Sequence, residues 1–173
     1  VKRIGLLGGS FNPIHHGHLF MARAAMEGLG LDQVIFVPAH CSPHKTDHDL
    51  APARHRLAMA RLAVRDRKNL IVSDVEIERG GISYTVDTAR HFRRRYPKDQ
   101  LFFIVGEDSI KGLWGWKNID EILNILSFIA VNRERCPVSS SQIRLRLSRK
   151  QSIQGLTPAA VIGYIRQKGL YVQ

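Results

Sequence analysis

Short apolar runs recur along this chain, each followed within a short distance by a segment of helical spacing, and no other feature limits the fold as strongly. Ile4 to Leu7, Val34 to Val37, Leu70 to Val72, Leu101 to Val105 and Phe128 to Val131 are the strand candidates. The third continues less regularly through Val75 and Ile77 to the turn at Gly80-Gly81. His18 to Leu29, Ala53 to Val64, Thr85 to Tyr96 and Ile119 to Leu126 place apolar residues at helical intervals. Strands without polar alternation are buried on both faces, so the pattern predicts an α/β fold, a mostly parallel sheet covered by helices on two sides. Ligands of such sheets bind beyond the carboxyl ends of the strands. The places to search are therefore after Leu7, after Val37 and after Val105.

A last helix is expected near the C-terminus, with Thr157 as cap, Pro158 at the first helical position, Val161, Ile162 and Ile165 as its apolar stripe, and Gly169 as its stop. The stretch RERCPVSSSQ is short for this layout, because a helix and a further strand would be expected between Val131 and the serines. At 173 residues the chain suits one domain. No apolar run reaches the roughly 18 residues that span a bilayer. Cys41 and Cys136 are too few for a disulfide scaffold and fit a reducing compartment. A soluble intracellular protein is expected. The formal charge of +11 favours anionic partners, without distinguishing nucleic acid, acidic membrane or phosphorylated small molecules.

The segment GGSFNPIHHGH, 8–18, decides among these. A glycine pair after a strand lets the backbone turn tightly with amides facing an anion, and the following helix adds its positive end. His15 and His18 stand at that helix entrance, where a phosphate chain could meet both imidazoles. Neither the G-x-G-x-x-G dinucleotide spacing nor a Walker A lysine is present. His40, Cys41, His44 and His48 include acceptable zinc ligands, but their spacing matches no paired-ligand motif, and no structural metal is expected.

GGSFNPIHHGH resembles the signature of the nucleotidylyltransferase superfamily, whose H-x-G-H core would be His15, His16, Gly17 and His18. Together with GGISYTVDT (80–88), FIVGEDS (103–109), Trp116 and SSSQIR (139–144), it resembles the bacterial nicotinate-nucleotide adenylyltransferases over nearly the whole chain. The resemblance implies a Rossmann-like fold with a small C-terminal helical part, residues 139–173 of a single domain 1–173. It implies transfer of AMP from ATP to nicotinate mononucleotide, giving deamido-NAD and pyrophosphate, with Mg2+ carried by the ATP phosphates.

By the same resemblance His18 and His15 are the catalytic pair. Gly8, Gly9, Ser10, Phe11, Lys45, Gly106, Asp108, Ser139, Ser140, Ser141 and Arg144 would hold ATP, with Asp108 near the ribose and Arg144 near the terminal phosphates. Tyr84, Thr85 and Trp116 would hold the pyridine nucleotide, Trp116 by stacking. Asn12 stands where the family commonly has aspartate, and Ser141 where it has threonine. The implied setting is the cytoplasm, with no membrane and no specific nucleic acid as partner; homo-oligomerisation is left open.

A related transferase acting on phosphopantetheine would share the H-x-G-H machinery but leaves GGISYTVDT and Trp116 unexplained. A nucleic-acid-binding protein is the alternative from a different class, suggested by the charge and by HFRRRYPK (91–98), whose arginines, with Arg90, are expected on a solvated helix face.

Overall fold

A computed structural model of the chain describes residues 1–43 and 50–172. Among them, strands β1 (Arg3–Gly9), β2 (Gln33–Pro38), β3 (Leu70–Val72), β4 (Gln100–Gly106) and β5 (Ser127–Val131) form a parallel sheet in the order β3-β2-β1-β4-β5. The helices are α1 (His16–Leu29), α2 (Ala53–Val64), α3 (Val75–Arg79), α4 (Thr85–Arg95), α5 (Ile119–Ile125), α6 (Ser140–Ser148) and α7 (Ala159–Lys168), and a 3-10 stretch covers Glu107–Gly115.

Side chains alternate across the sheet, and both sets are apolar. Leu7, Val34, Phe36 and Ile104 pack with residues of α1, α2, α6 and α7, whereas Ile4, Leu6, Ile35 and Phe103 pack with residues of α4 and α5. The chain moves outward from β1 to β3 and then returns to the other side of β1 for β4. The carboxyl ends of β1 and β4 therefore flank the switch point, where open α/β sheets leave a crevice for ligand.

The expected continuation of the third strand through Val75 and Ile77 is instead α3. Pairing of β3 ends at Val72 opposite Phe36, and Pro38 has no N–H with which to extend that ladder. Helix α3 directs Glu76 inward, where it is 6 % exposed and accepts the Thr88 hydroxyl. Thr157 does not cap α7. Its buried hydroxyl donates to the Ile14 carbonyl at 2.7 Å, and Pro158 is the residue flanking the helix. Gly169 ends α7 in the left-handed conformation, as expected.

The arginines of α4 divide in two. Arg90 bonds both oxygens of Glu121 at 2.6 Å, and Arg93 donates to the carbonyls of Tyr96, Asp99 and Ile125. Those two clamp α4 to the start and end of α5, while Arg94 and Arg95 are exposed. Arg93→Gln is expected to lower unfolding free energy by about 1–3 kcal/mol, because carbonyls lose a charged donor. Arg94→Gln should stay within about 0.5 kcal/mol. Urea denaturation of the two variants checks the contrast.

Candidate active site

The glycine turn leaves β1 at Gly8 and Gly9, and both positions are crowded. A Cβ on Gly8 would lie 3.0 Å from the Phe103 ring, and one on Gly9 would lie 3.2 Å from the Phe11 ring. Phe11 itself adopts φ 48° and is buried, and its ring packs close to Gly9 of the turn. The Asn12-Pro13 peptide is cis, and the chain enters α1 at His16.

His15 is 3 % exposed and stacks on His18 with ring centroids 3.7 Å apart. The Phe11 ring meets His18 edge-on at 4.9 Å. The backbone N–H of His15 donates to His18 Nδ1 at 3.2 Å. With Nδ1 accepting, a neutral His18 carries its proton on Nε2 and presents it as a donor. His18 is thus a half-buried imidazole of fixed plane and fixed tautomer at the start of a helix, a suitable place for a phosphate oxygen.

The C-terminal part holds this loop from outside. Ser140 Oγ donates to Pro13 O at 2.9 Å, Arg144 Nη1 to Asn12 O at 2.8 Å, and His16 N to Leu156 O at 3.0 Å. The Tyr171 hydroxyl and the Ala51 N–H both reach Asn12 Oδ1, at 2.7 and 3.1 Å. Burial pushes the Tyr171 phenol above its ordinary range, so it acts as a donor to that amide oxygen. Ser139 caps α6 by accepting from Gln142 N. Arg144 also approaches Ser141 Oγ at 3.5 Å.

At the end of β4, Gly106 lies beneath an ion pair. A Cβ there would collide with Asp108 and come within 3.0 Å of Arg133 Nε. Asp108 accepts from Arg133 Nη2 at 2.6 Å on the exposed surface. Lys45, like His44 and His48, lies outside the described residues.

A cavity of about 350 Å3 runs from Gly8, Gly9 and Ser10 to Tyr84, Thr85 and Trp116. The structure thus brings together the glycine turn and the SYT segment, which are more than seventy positions apart in the chain. Trp116 crosses Phe103 and Phe128 at interplanar angles of 89° and 70°, which fixes the plane of the indole, while Trp114 is 75 % exposed.

Two buried charged residues, one in the cavity and one outside its lining, carry no motif in the sequence. Glu76 lines the same cavity, and burial pushes its carboxyl up, opposed by the hydroxyls of Thr88 and Ser83. Its helix was hidden by the β-forming neighbours Val75 and Ile77. Arg56 is 1 % exposed and joins the loops after β1 and β2. A signal for it exists, since it shares the helical face of Met59, Ala60 and Ala63. Among the described residues no group of three or more His, Cys, Asp or Glu converges as a metal site.

Residues 6–146 match the family model described as cytidylyltransferase-like. The chain is 39% identical to the nicotinate-nucleotide adenylyltransferase of Bacillus subtilis (strain 168) over 187 aligned positions, which cover 99% of each protein. In structure it is similar to the Plasmodium falciparum nicotinic acid mononucleotide adenylyltransferase complexed with NaAD, with TM-score 0.79, 20% identity, and coverage of 99% of this chain and 98% of that one. The complex of that protein with APC superposes with TM-score 0.76 at 18% identity, covering the same shares of the two chains.

Proposed function

Because the chain belongs to the nicotinate-nucleotide adenylyltransferase family, we infer that it transfers the adenylyl group of ATP to nicotinate mononucleotide, forming deamido-NAD and pyrophosphate. The observation that carries this reading is the cavity that joins Gly8, Gly9 and Ser10, the turn leading into the H-x-G-H residues, to Tyr84, Thr85 and Trp116. In the reaction a phosphate oxygen of the mononucleotide forms a bond to the α-phosphorus of ATP, and the bond from that phosphorus to the bridging oxygen of the β-phosphate breaks. The nucleophile is already an anion, so no general base is needed, and the protein contributes alignment and charge stabilisation.

His18 supplies the central contact. Its Nε2–H donates to the α-phosphate as negative charge shifts toward pyrophosphate, and His15, stacked behind it, holds the ring plane. Gly8, Gly9, Ser10 and Phe11 offer the turn to the phosphates, with Ser139, Ser140, Ser141 and Arg144 around the chain. Gly106 and Asp108 take the adenosine side, where carboxylate oxygens can accept from ribose hydroxyls. Mg2+ enters as part of the substrate MgATP, held by its phosphates. Residues 1–173 act as one domain whose 139–173 portion steadies the loop. The setting is cytoplasmic, a reading supported by the two free cysteines, which suit a reducing compartment.

The acid is favoured over the amide at the start of α4: Ser83 N and Tyr84 N already donate to Cys41 O and Ile82 O, so the N–H groups that open the helix at Thr85 are the donors that suit a carboxylate and meet a competing donor in the carboxamide. Mass spectrometry after incubation with MgATP and nicotinate mononucleotide should detect deamido-NAD. The kcat/KM for the acid should exceed that for nicotinamide mononucleotide. Equal or reversed preference would overturn the acid-selective pocket, and ATP binding without product would move the reaction to another acceptor.

A further inference from the structure

Arg56 is the most deeply buried charged side chain among the described residues, and all four of its hydrogen bonds go to backbone carbonyls. Nε donates to Ala51 O at 2.8 Å, Nη1 to Ser10 O at 2.7 Å and Ala39 O at 2.6 Å, and Nη2 to His40 O at 2.9 Å. These carbonyls come from three separate segments: the glycine turn after β1, the loop after β2, and the approach to α2. A planar guanidinium with five fixed donors can serve three segments together, whereas an ammonium on a flexible stem cannot reproduce the fork. Burying a cation is unfavourable unless its hydrogen bonds are made, so the pattern is specific to what it holds.

Peptide planarity carries the constraint further. In a trans peptide the C=O and the next N–H point in opposite directions. The Ala39 carbonyl faces Arg56, and the His40 N–H of that same peptide donates to Ser83 Oγ at 2.9 Å. Ser83 N returns a bond to Cys41 O at 2.8 Å, and His40 Nδ1 lies 3.0 Å from Gly81 O. Ser83 immediately precedes Tyr84 and Thr85. In the glycine turn, the Ser10 carbonyl held by Arg56 turns the Phe11 N–H the other way.

We propose that Arg56 is a positioning residue for both substrates, setting the glycine turn directly and the Tyr84-Thr85 segment through the Ala39–His40 peptide and Ser83. It does so without lining the cavity between them. The proposal rests on the adenylyl-transfer reading for the identity of the two ligands, but the connection itself is structural. Ordering of one loop by its ligand should therefore stiffen the other.

Amide hydrogen exchange on the wild-type chain tests this without any substitution. MgATP alone should slow exchange over 82–85 as well as 8–12, and nicotinate mononucleotide alone should slow exchange over 8–12 as well as 82–85. Protection by MgATP confined to 8–12 would overturn the proposal. The MgATP arm reads the connection even where nicotinate mononucleotide fails to bind, so failure of the proposed reaction and failure of the connection give different results. In Arg56→Lys, which keeps the charge, kcat/KM for each substrate should fall at least about tenfold per folded molecule, and MgATP should no longer protect 82–85. Where that variant is too unstable to assay, the wild-type exchange result decides. KM values within about twofold of wild type for both substrates, with only the urea midpoint lowered, would reduce Arg56 to a stability role and overturn the proposal.

Discussion

His18→Ala is expected to lower kcat about 100- to 1,000-fold while leaving MgATP affinity within a few fold of wild type. The imidazole is oriented before substrate arrives, by the His15 stack, the edge of Phe11 and the bond from His15 N to Nδ1. In the proposed reaction its donor meets charge that develops at the α-phosphate during transfer, which is the condition for a kcat effect separated from ground-state binding. His18→Gln keeps a donor near the position of Nε2 and should recover part of the loss. Steady-state kinetics paired with calorimetric titration of MgATP separates the two quantities, and near-wild-type turnover by the alanine variant would remove His18 from the catalytic role.

Gly17→Ala should damage the same site from within the helix. Alanine normally favours a helix over glycine by about 1 kcal/mol. Here the added Cβ would lie 2.9 Å from two atoms of the His15 ring and 3.0 Å from the backbone oxygen of Val138. The ring cannot retreat without disturbing its stack on His18, and the Val138 carbonyl is main chain. Overpacking of this kind costs about 1–3 kcal/mol, and a displaced catalytic group loses at least about tenfold in kcat. Gly28→Ala in the same helix is the control, since a Cβ there meets nothing within 4 Å. It should raise stability by up to about 1 kcal/mol with activity unchanged. Thermal denaturation and product formation on the three proteins measure both effects, and a stable, active Gly17→Ala enzyme would contradict the crowding argument.

Much of this protein was determined by short-range pattern in its sequence. Apolar alternation and helical spacing act over a few residues, so Ala53–Val64 is helical over the span expected and the other main elements differ from expectation mainly at their ends. The glycine turn and the H-x-G-H residues are likewise local, which is why the phosphate end of the site was legible. Misreadings came where local preference and long-range packing disagree. Val75 and Ile77 favour a strand, but no β2 partner extends past Pro38 and the Glu76 carboxyl has its hydroxyl partner in α4.

Tertiary structure alone decided what holds the site in place. Thr157, Ser140, Arg144 and Tyr171 bond to the loop at Asn12 to Ile14 across sequence separations of 143, 127, 132 and 159 residues. Arg56 gathers three loops whose carbonyls carry no side-chain signature at all. Such contacts depend on where folding brings distant backbone groups, and a backbone carbonyl is chemically the same at every position. Periodicity and motif chemistry could therefore indicate that a phosphate-binding turn forms after β1, but the residues that fix its geometry became visible only once the C-terminal helices and α2 were packed against it.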